Sequence, residues 1–135
     1  MRLSVARALR AGIVAALLTA GLGVAATQPA SAASSSCPGS WYPSDNGDGS
    51  GIMKAGTWNL KGNYYSDCAN IGTVNGGERV WFLCWSTNSY GNLWWYVRVA
   101  GTTKRGWISA ANITAERMTD DNGDGVIADK MCYGL

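Results

Sequence analysis

Residues 80–85, VWFLCW, and residues 94–99, WWYVRV, lie in the stretch from Gly56 to Ile113, which holds six of the seven tryptophans. Both runs are rich in the aromatic and β-branched residues that favour strands. Turn-forming glycine and asparagine residues separate them from each other and from shorter apolar segments on either side. This pattern predicts a small all-β domain.

The first 32 residues are typical of a secretory signal peptide. Three arginines precede an apolar run at residues 11–26, and an Ala-Ser-Ala sequence at 30–32 suits cleavage after small residues. The run is shorter than the roughly 20 residues that span a bilayer. We therefore expect a secreted, soluble protein that is extracellular or associated with the cell wall. It would comprise an irregular N-terminal arm at 33–51, a β domain at 52–113 and an acidic C-terminal tail at 114–135.

Charge and composition narrow the classes of partner and reaction. Removal of the three N-terminal arginines leaves eight cationic against nine acidic side chains, so the net charge of the mature part is −1. A nearly neutral chain has no overall attraction for nucleic acid or an anionic membrane, and we expect neither as a partner. The sequence contains no histidine, which excludes Ser-His-Asp and Cys-His catalysis. Asp67 and Glu78 have no evident acidic partner for paired-carboxylate catalysis, and we expect no enzymatic activity.

Four cysteines, all beyond residue 32, predict two disulfides in an exported small protein. They are Cys37, Cys68, Cys84 and Cys132. Three pairings are possible, and we prefer Cys68–Cys84 inside the β domain with Cys37–Cys132 joining the arm to the tail. A four-thiolate zinc site would need two closely spaced cysteine pairs, which the chain lacks.

Alternation along the two strong strands predicts which side chains face the core. Three side chains of the first strand should share the core face: Val80, Phe82 and Cys84. Three of the second should do the same: Trp95, Val97 and Val99. The opposite faces would then carry the surface or rim aromatics Trp81, Trp85, Trp94 and Tyr96. We expect Trp107 to be buried with Trp95.

The order of several short motifs resembles that of a bacterial SH3 (SH3b) domain of the small secreted actinobacterial type. The motifs are Asn59-Leu60-Lys61, Ile71-Gly72-Thr73-Val74, Gly77, Trp95-Tyr96-Val97 and Gly106-Trp107-Ile108. The resemblance covers about residues 55–113. It implies an SH3-like barrel of five to six short strands without catalysis, which targets cell-wall peptidoglycan or peptides. Residues 61–64, KGNY, replace the Arg-Ser-Gly-Pro usual in the family, so the loop that often shapes its ligand groove is altered.

From the resemblance and the aromatic excess we expect a monomeric binding module whose rings contact peptidoglycan or a peptide. The expected ligand-binding residues are Tyr64, Tyr65, Trp85, Trp94 and Tyr96. The alternative role for these rings is packing, because aliphatic residues are few in this domain. The alternative function is a secreted protein-interaction or inhibitor protein.

The acidic tail contains a partial calcium-binding pattern. Asp120, Asn122 and Asp124, with the following glycine, match the first positions of an EF-hand-type loop. Met131 stands where the loop needs its twelfth ligand, so the alternative is a solvated Asp/Gly turn. The pentapeptide DNGDG occurs at 45–49 and again at 121–125, each near a cysteine. This repetition suggests that the arm and the tail meet.

Overall fold

The computed structural model describes residues 36–133 and contains seven strands and one 3₁₀ turn. The strands are β1 (Ser50–Met53), β2 (Thr57–Lys61), β3 (Asn70–Asn75), β4 (Arg79–Thr87), β5 (Leu93–Val99), β6 (Arg105–Ser109) and β7 (Ile113–Arg117). The turn, Ala110–Asn112, directly precedes β7. The all-β class is confirmed. The predicted signal peptide lies outside the described residues.

The strands form a single sheet in the order β3-β2-β6-β5-β4-β1-β7, and all neighbouring pairs are antiparallel. There are seven strands rather than five to six, and β3 and β7 are edges that do not pair with each other. The sheet also extends beyond the predicted 52–113 at both ends, since β1 begins at Ser50 and β7 ends at Arg117. Among the described residues, no helix is long and apolar enough to span a bilayer.

The first core cluster contains residues from all seven strands. Its members are Met53, Leu60, Val74, Val80, Phe82, Trp95, Val97, Val99, Ile108 and Ile113. The rings of Phe82 and Trp95 stack with their centroids 4.1 Å apart. Because Val74 on one edge strand and Ile113 on the other belong to the same cluster, the sheet must curve around this core. The predicted burial of Trp95 is confirmed.

A second buried cluster lies on the opposite face of the sheet. Its members are Tyr64, Leu83, Cys84, Trp94, Tyr96, Trp107 and Cys132. The N-terminal arm covers it, because Trp41 stacks on Trp107 at a centroid distance of 5.3 Å. The indole N–H of Trp107 also donates to the carbonyl oxygen of Trp41 at 2.9 Å. Trp107 is buried as predicted, but the face expected to be solvent-exposed is a second core.

A β-bulge in β4 explains where the strict alternation fails. Phe82 pairs with Val97 and Cys84 pairs with Tyr96, so Leu83 is the extra residue. After this bulge, Cys84 joins the second cluster instead of the first. Trp85 is turned the other way and packs against the first cluster. The predicted faces of Cys84 and Trp85 were therefore wrong.

The two predicted disulfides are present, but the preferred pairing was wrong. The bonds are Cys37–Cys68 and Cys84–Cys132. Since the bulge turns Cys84 away from the first core, it meets the tail, where the backbone N–H of Cys132 donates to the carbonyl oxygen of Trp85 at 2.9 Å. Each terminal segment is thus tied separately to the β domain. On the chain-entropy model each bond contributes about 4 kcal/mol.

We expect Gly47→Ala to lower the free energy of unfolding by about 1–3 kcal/mol. A Cβ at Gly47 would lie 2.7 Å from the carbonyl oxygen of Leu83, the bulge residue, which accepts the N–H of Gly47. Gly72→Ala is the matched control, because its nearest contact is Leu60 Cδ1 at an ordinary 3.6 Å. Urea unfolding measures both variants, and equal midpoints would contradict the prediction.

Candidate functional site

The structure buries three of the five predicted ligand-binding aromatics. Tyr64, Trp94 and Tyr96 are 7%, 7% and 3% exposed, respectively. Tyr65 and Trp85 are half-buried. The expectation that these rings form an exposed face was wrong for the first three, because the arm and the tail cover that side of the sheet. Whether any of the five contacts a ligand stays a prediction.

Burial also changes the acidity of the covered phenols. It raises the pKa of Tyr64 and of Tyr96, and for Tyr96 the positive charge of Arg105 opposes the increase. At Tyr65 the hydrogen bonds from Ser89 lower the pKa instead. The backbone N–H of Ser89 donates to the Tyr65 hydroxyl at 3.2 Å, which joins the β2–β3 loop to the β4–β5 turn.

An open groove of about 380 Å³ lies beside this turn. We call it the aromatic groove. Its lining residues are Trp58, Asn59, Lys61, Ser66, Asn88, Tyr90, Asn92, Trp94, Ile108, Ser109 and Asn112. Of the five predicted ligand-binding residues, Trp94 alone is in this lining. The volume is in the range of small-molecule sites.

The side chain of Asn88 fixes the turn that forms one wall of the groove. Its Oδ1 accepts the backbone N–H groups of Tyr90 and Asn92, both at 3.1 Å. Its Nδ2 donates to the carbonyl oxygen of Tyr64 at 3.2 Å. Asn88 is only 6% exposed. Because this buried asparagine accepts the backbone N–H groups of the turn, it fixes the turn and the side chains that project from it.

The two more exposed rings of the groove are also held. The indole N–H of Trp58 donates to the carbonyl oxygen of Lys54 at 2.8 Å. Tyr90 is 67% exposed, and its hydroxyl donates to Ser36 Oγ at 2.9 Å. Rings positioned in this way can stack on a flat ligand without losing much conformational freedom on binding.

The polar groups of the groove are largely uncharged. Within the described chain, the side-chain amides of Asn59, Asn92 and Asn112 have no hydrogen-bond partner. The lining contains no carboxylate, and its one cation, Lys61, donates to the carbonyl oxygen of Cys68. Aromatic faces beside unpaired amides suit a neutral polar ligand such as a sugar ring or a peptide backbone.

Sequence reasoning missed Trp58, Tyr90 and the asparagines. The segment 88–92, NSYGN, was identified only as a loop, although its asparagines and tyrosine were a usable signal. The remaining wall comes from β2, β6 and the 3₁₀ turn, which become neighbours of that loop only through the sheet order.

The two copies of DNGDG meet, as their repetition suggested. The carboxylate of Asp48, which is buried, accepts the backbone N–H groups of Asp121 and Ala128, both at 3.1 Å, and of Asn122 at 3.3 Å. The N–H of Gly49 donates to Asp121 Oδ2 at 2.9 Å. These bonds, the one from Ala128 above all, hold the pKa of Asp48 below its usual value. Asp48 therefore joins the arm to the tail.

Two of the three predicted calcium ligands, Asp120 and Asp124, are brought together with a third carboxylate that the sequence did not indicate. Carboxylate oxygens of Asp48, Asp120 and Asp124 lie within 4.8 Å of one another. The third predicted ligand, Asn122, accepts the backbone N–H of Asp124 with its Oδ1 at 2.9 Å. The three carboxylates could hold a divalent cation. Calcium binding stays a prediction.

Comparison of the chain with protein-family models, with curated proteins and with solved structures finds no match. The resemblance to an SH3b domain therefore stays a prediction as well.

We expect Asp48→Asn to lower the melting temperature at pH 7, because an amide cannot accept all three N–H groups. A carboxylate whose pKa is lowered by folding stabilises the protein above its unfolded pKa and loses that effect as the pH falls. The melting temperature of the unmodified chain should thus decrease below about pH 4, and that of the variant should decrease less. Asp129→Asn, at an exposed position, is the control. Parallel acid profiles for all three proteins would contradict this role.

We expect calcium to raise the melting temperature and Asp124→Ala to abolish the rise. At about five times the dissociation constant, calcium adds about 1 kcal/mol to stability. That amounts to about 4–8 °C for a domain of this size. Differential scanning fluorimetry with sodium chloride of equal ionic strength as the control measures the effect. An equal calcium-induced rise in the melting temperatures of the variant and the unmodified chain would contradict the prediction.

Proposed function

We propose that this protein is a secreted, monomeric, non-enzymatic binding module whose aromatic groove recognises cell-wall peptidoglycan or a peptide. The observation that carries the proposal is the combination of rigidly held rings with unpaired amides in one groove. Sugar rings present apolar faces that stack on Trp and Tyr, and their hydroxyl and acetamido groups pair with amides.

Two further observations support a place outside the cell. Both disulfides bridge elements far apart in the chain, and such bonds persist in oxidising compartments. The N-terminal 32 residues have the composition of a cleaved export signal.

Access to the groove favours an extended ligand. Four lining residues are exposed: Asn59, Ser66, Tyr90 and Asn92. Trp94 and Ile108 are buried lining residues. An open groove with both buried apolar and exposed polar lining can accept a segment of a longer polymer, since neither end needs to be enclosed.

We expect Tyr90→Ala to weaken binding to purified insoluble peptidoglycan about threefold to tenfold, the worth of one aromatic contact. Co-sedimentation of the oxidised chain from residue 33 onward gives the dissociation constant. Tyr90→Phe, which keeps the ring and loses the bond to Ser36, should bind nearly normally. Tyr133→Ala is the matched control, because Tyr133 is 79% exposed and lies outside the groove.

Two results would count against this function. Unmodified protein that stays in the supernatant would exclude peptidoglycan as the ligand. In that case, capture of a soluble protein by the unmodified chain and not by Tyr90→Ala would assign the groove to protein interaction or inhibition. Equal sedimentation of the unmodified chain, Tyr90→Ala and Tyr133→Ala would exclude the groove as the binding surface.

A further inference from the structure

A row of directly opposed residues crosses five neighbouring strands. Arg117 on β7 opposes Ser50 on β1, and Ser50 opposes Trp81 on β4. Trp81 opposes Arg98 on β5, and Arg98 opposes Arg105 on β6. Residues directly opposite each other in an antiparallel sheet project from the same face. Three arginines therefore share one face of the sheet.

The fourth arginine of residues 33–135 belongs to the same surface. Arg79 lies two residues before Trp81 on β4, donates to Ser50 Oγ at 2.9 Å, and stands 5.6 Å from the centre of the Trp81 ring. We call the four side chains of Arg79, Arg98, Arg105 and Arg117 the arginine row.

The lysines of the same part of the chain are used differently. Each donates its ammonium group to a backbone carbonyl and thereby ties two segments together: Lys54 to Ala111, Lys61 to Cys68, Lys104 to Thr73 and Lys130 to Asn46. In the described chain, the guanidinium groups of Arg98, Arg105 and Arg117 make no hydrogen bond or ion pair. These three arginines therefore have no structural task comparable to that of the lysines.

The row also carries a cost in stability. Like charges that stand directly opposite each other in neighbouring strands are destabilising. Arg98 and Arg105 form such a pair. Asp121 lines a cavity of about 180 Å³ together with Trp81 and Arg98. Its carboxylate, however, accepts the N–H of Gly49 and the hydroxyl of Thr119. A bound anion would compensate the arginine pair, with which no carboxylate of the described residues forms an ion pair.

The dimensions of the row indicate the shape of that anion. Five strands at their usual separation span about 19 Å, which is too long for a single phosphate or carboxylate group. Guanidinium groups bind oxyanions in a bidentate manner. Arg79 covers the Trp81 ring, the one aromatic in the row, so no free ring is offered for stacking nucleic-acid bases. These features favour an extended chain of phosphates without bases.

We propose that the arginine row binds a linear phosphate-bearing polymer, with one phosphate group in the cavity beside Arg98. The row lies toward the opposite end of β5 and β6 from Trp94 and Ser109, which line the aromatic groove. The two sites are independent, and this proposal does not rest on the proposed function.

The test uses residues 33–135 in oxidised form, the compact unit that holds all seven strands and both disulfides. The probe is inorganic polyphosphate long enough to span about 19 Å, titrated calorimetrically between about 50 and 200 mM salt. Arg98→Gln and Arg105→Gln should each weaken binding about fivefold to tenfold and reduce the salt slope by about one. Asp121→Asn should strengthen binding, because it removes a negative charge from the cavity.

Lys54→Gln is the control for net charge, because it removes one positive charge outside the row; it should change the affinity less than twofold. Tyr90→Ala should leave polyphosphate binding unchanged, which separates this site from the groove. Melting temperatures confirm that each variant is folded. Equal losses in Lys54→Gln and Arg98→Gln, or no loss in either arginine variant, would overturn the proposal. Oligothymidine binding as tight as polyphosphate binding would reassign the row to nucleic acid.

Discussion

The extra residue in β4 determines how both faces of the sheet are used. Leu83 interrupts the pairing of β4 with β5, and its carbonyl oxygen is engaged by Gly47 of the arm rather than by a neighbouring strand. The strand therefore reverses its faces midway: Phe82 points into the first core, and Cys84 points into the second. Only with this reversal can Cys84 reach Cys132 and fasten the tail.

Covering the second face has a consequence for binding. A small sheet with many indoles could present them all to solvent, but here the arm and the tail convert that face into a core around Trp107. The aromatic groove that remains accessible is at the end of the strands, where the Asn88 turn carries Tyr90. The segments outside the predicted β domain thus decide which aromatics remain accessible.

The bulge in β4 separates the features that the sequence could predict from those that it could not. Local alternation correctly placed Val80, Phe82, Trp95 and Val97 in the core, because each strand keeps its period until the bulge. A bulge depends on contacts with a distant segment, here Gly47, and has no local signature at Leu83. The errors for Cys84, Trp85 and the disulfide pairing follow from it. Of the residues that line the groove, only Trp94 was among the predicted ligand-binding residues. The others were missed because they become neighbours only through the order of the strands in the sheet.

The distribution of charge is a second feature that the sequence alone could not predict. The net charge of −1 for residues 33–135 indicated no attraction for polyanions, yet a net charge does not show where the cations lie. The sheet register collects all four arginines of residues 33–135 on one face, while the lysines are bound to backbone carbonyls. The proposed binding at the arginine row acts through charge and should weaken with added salt, whereas stacking on the rings of the groove should not. Under the two proposals, ionic strength therefore distinguishes binding at the arginine row from binding in the aromatic groove.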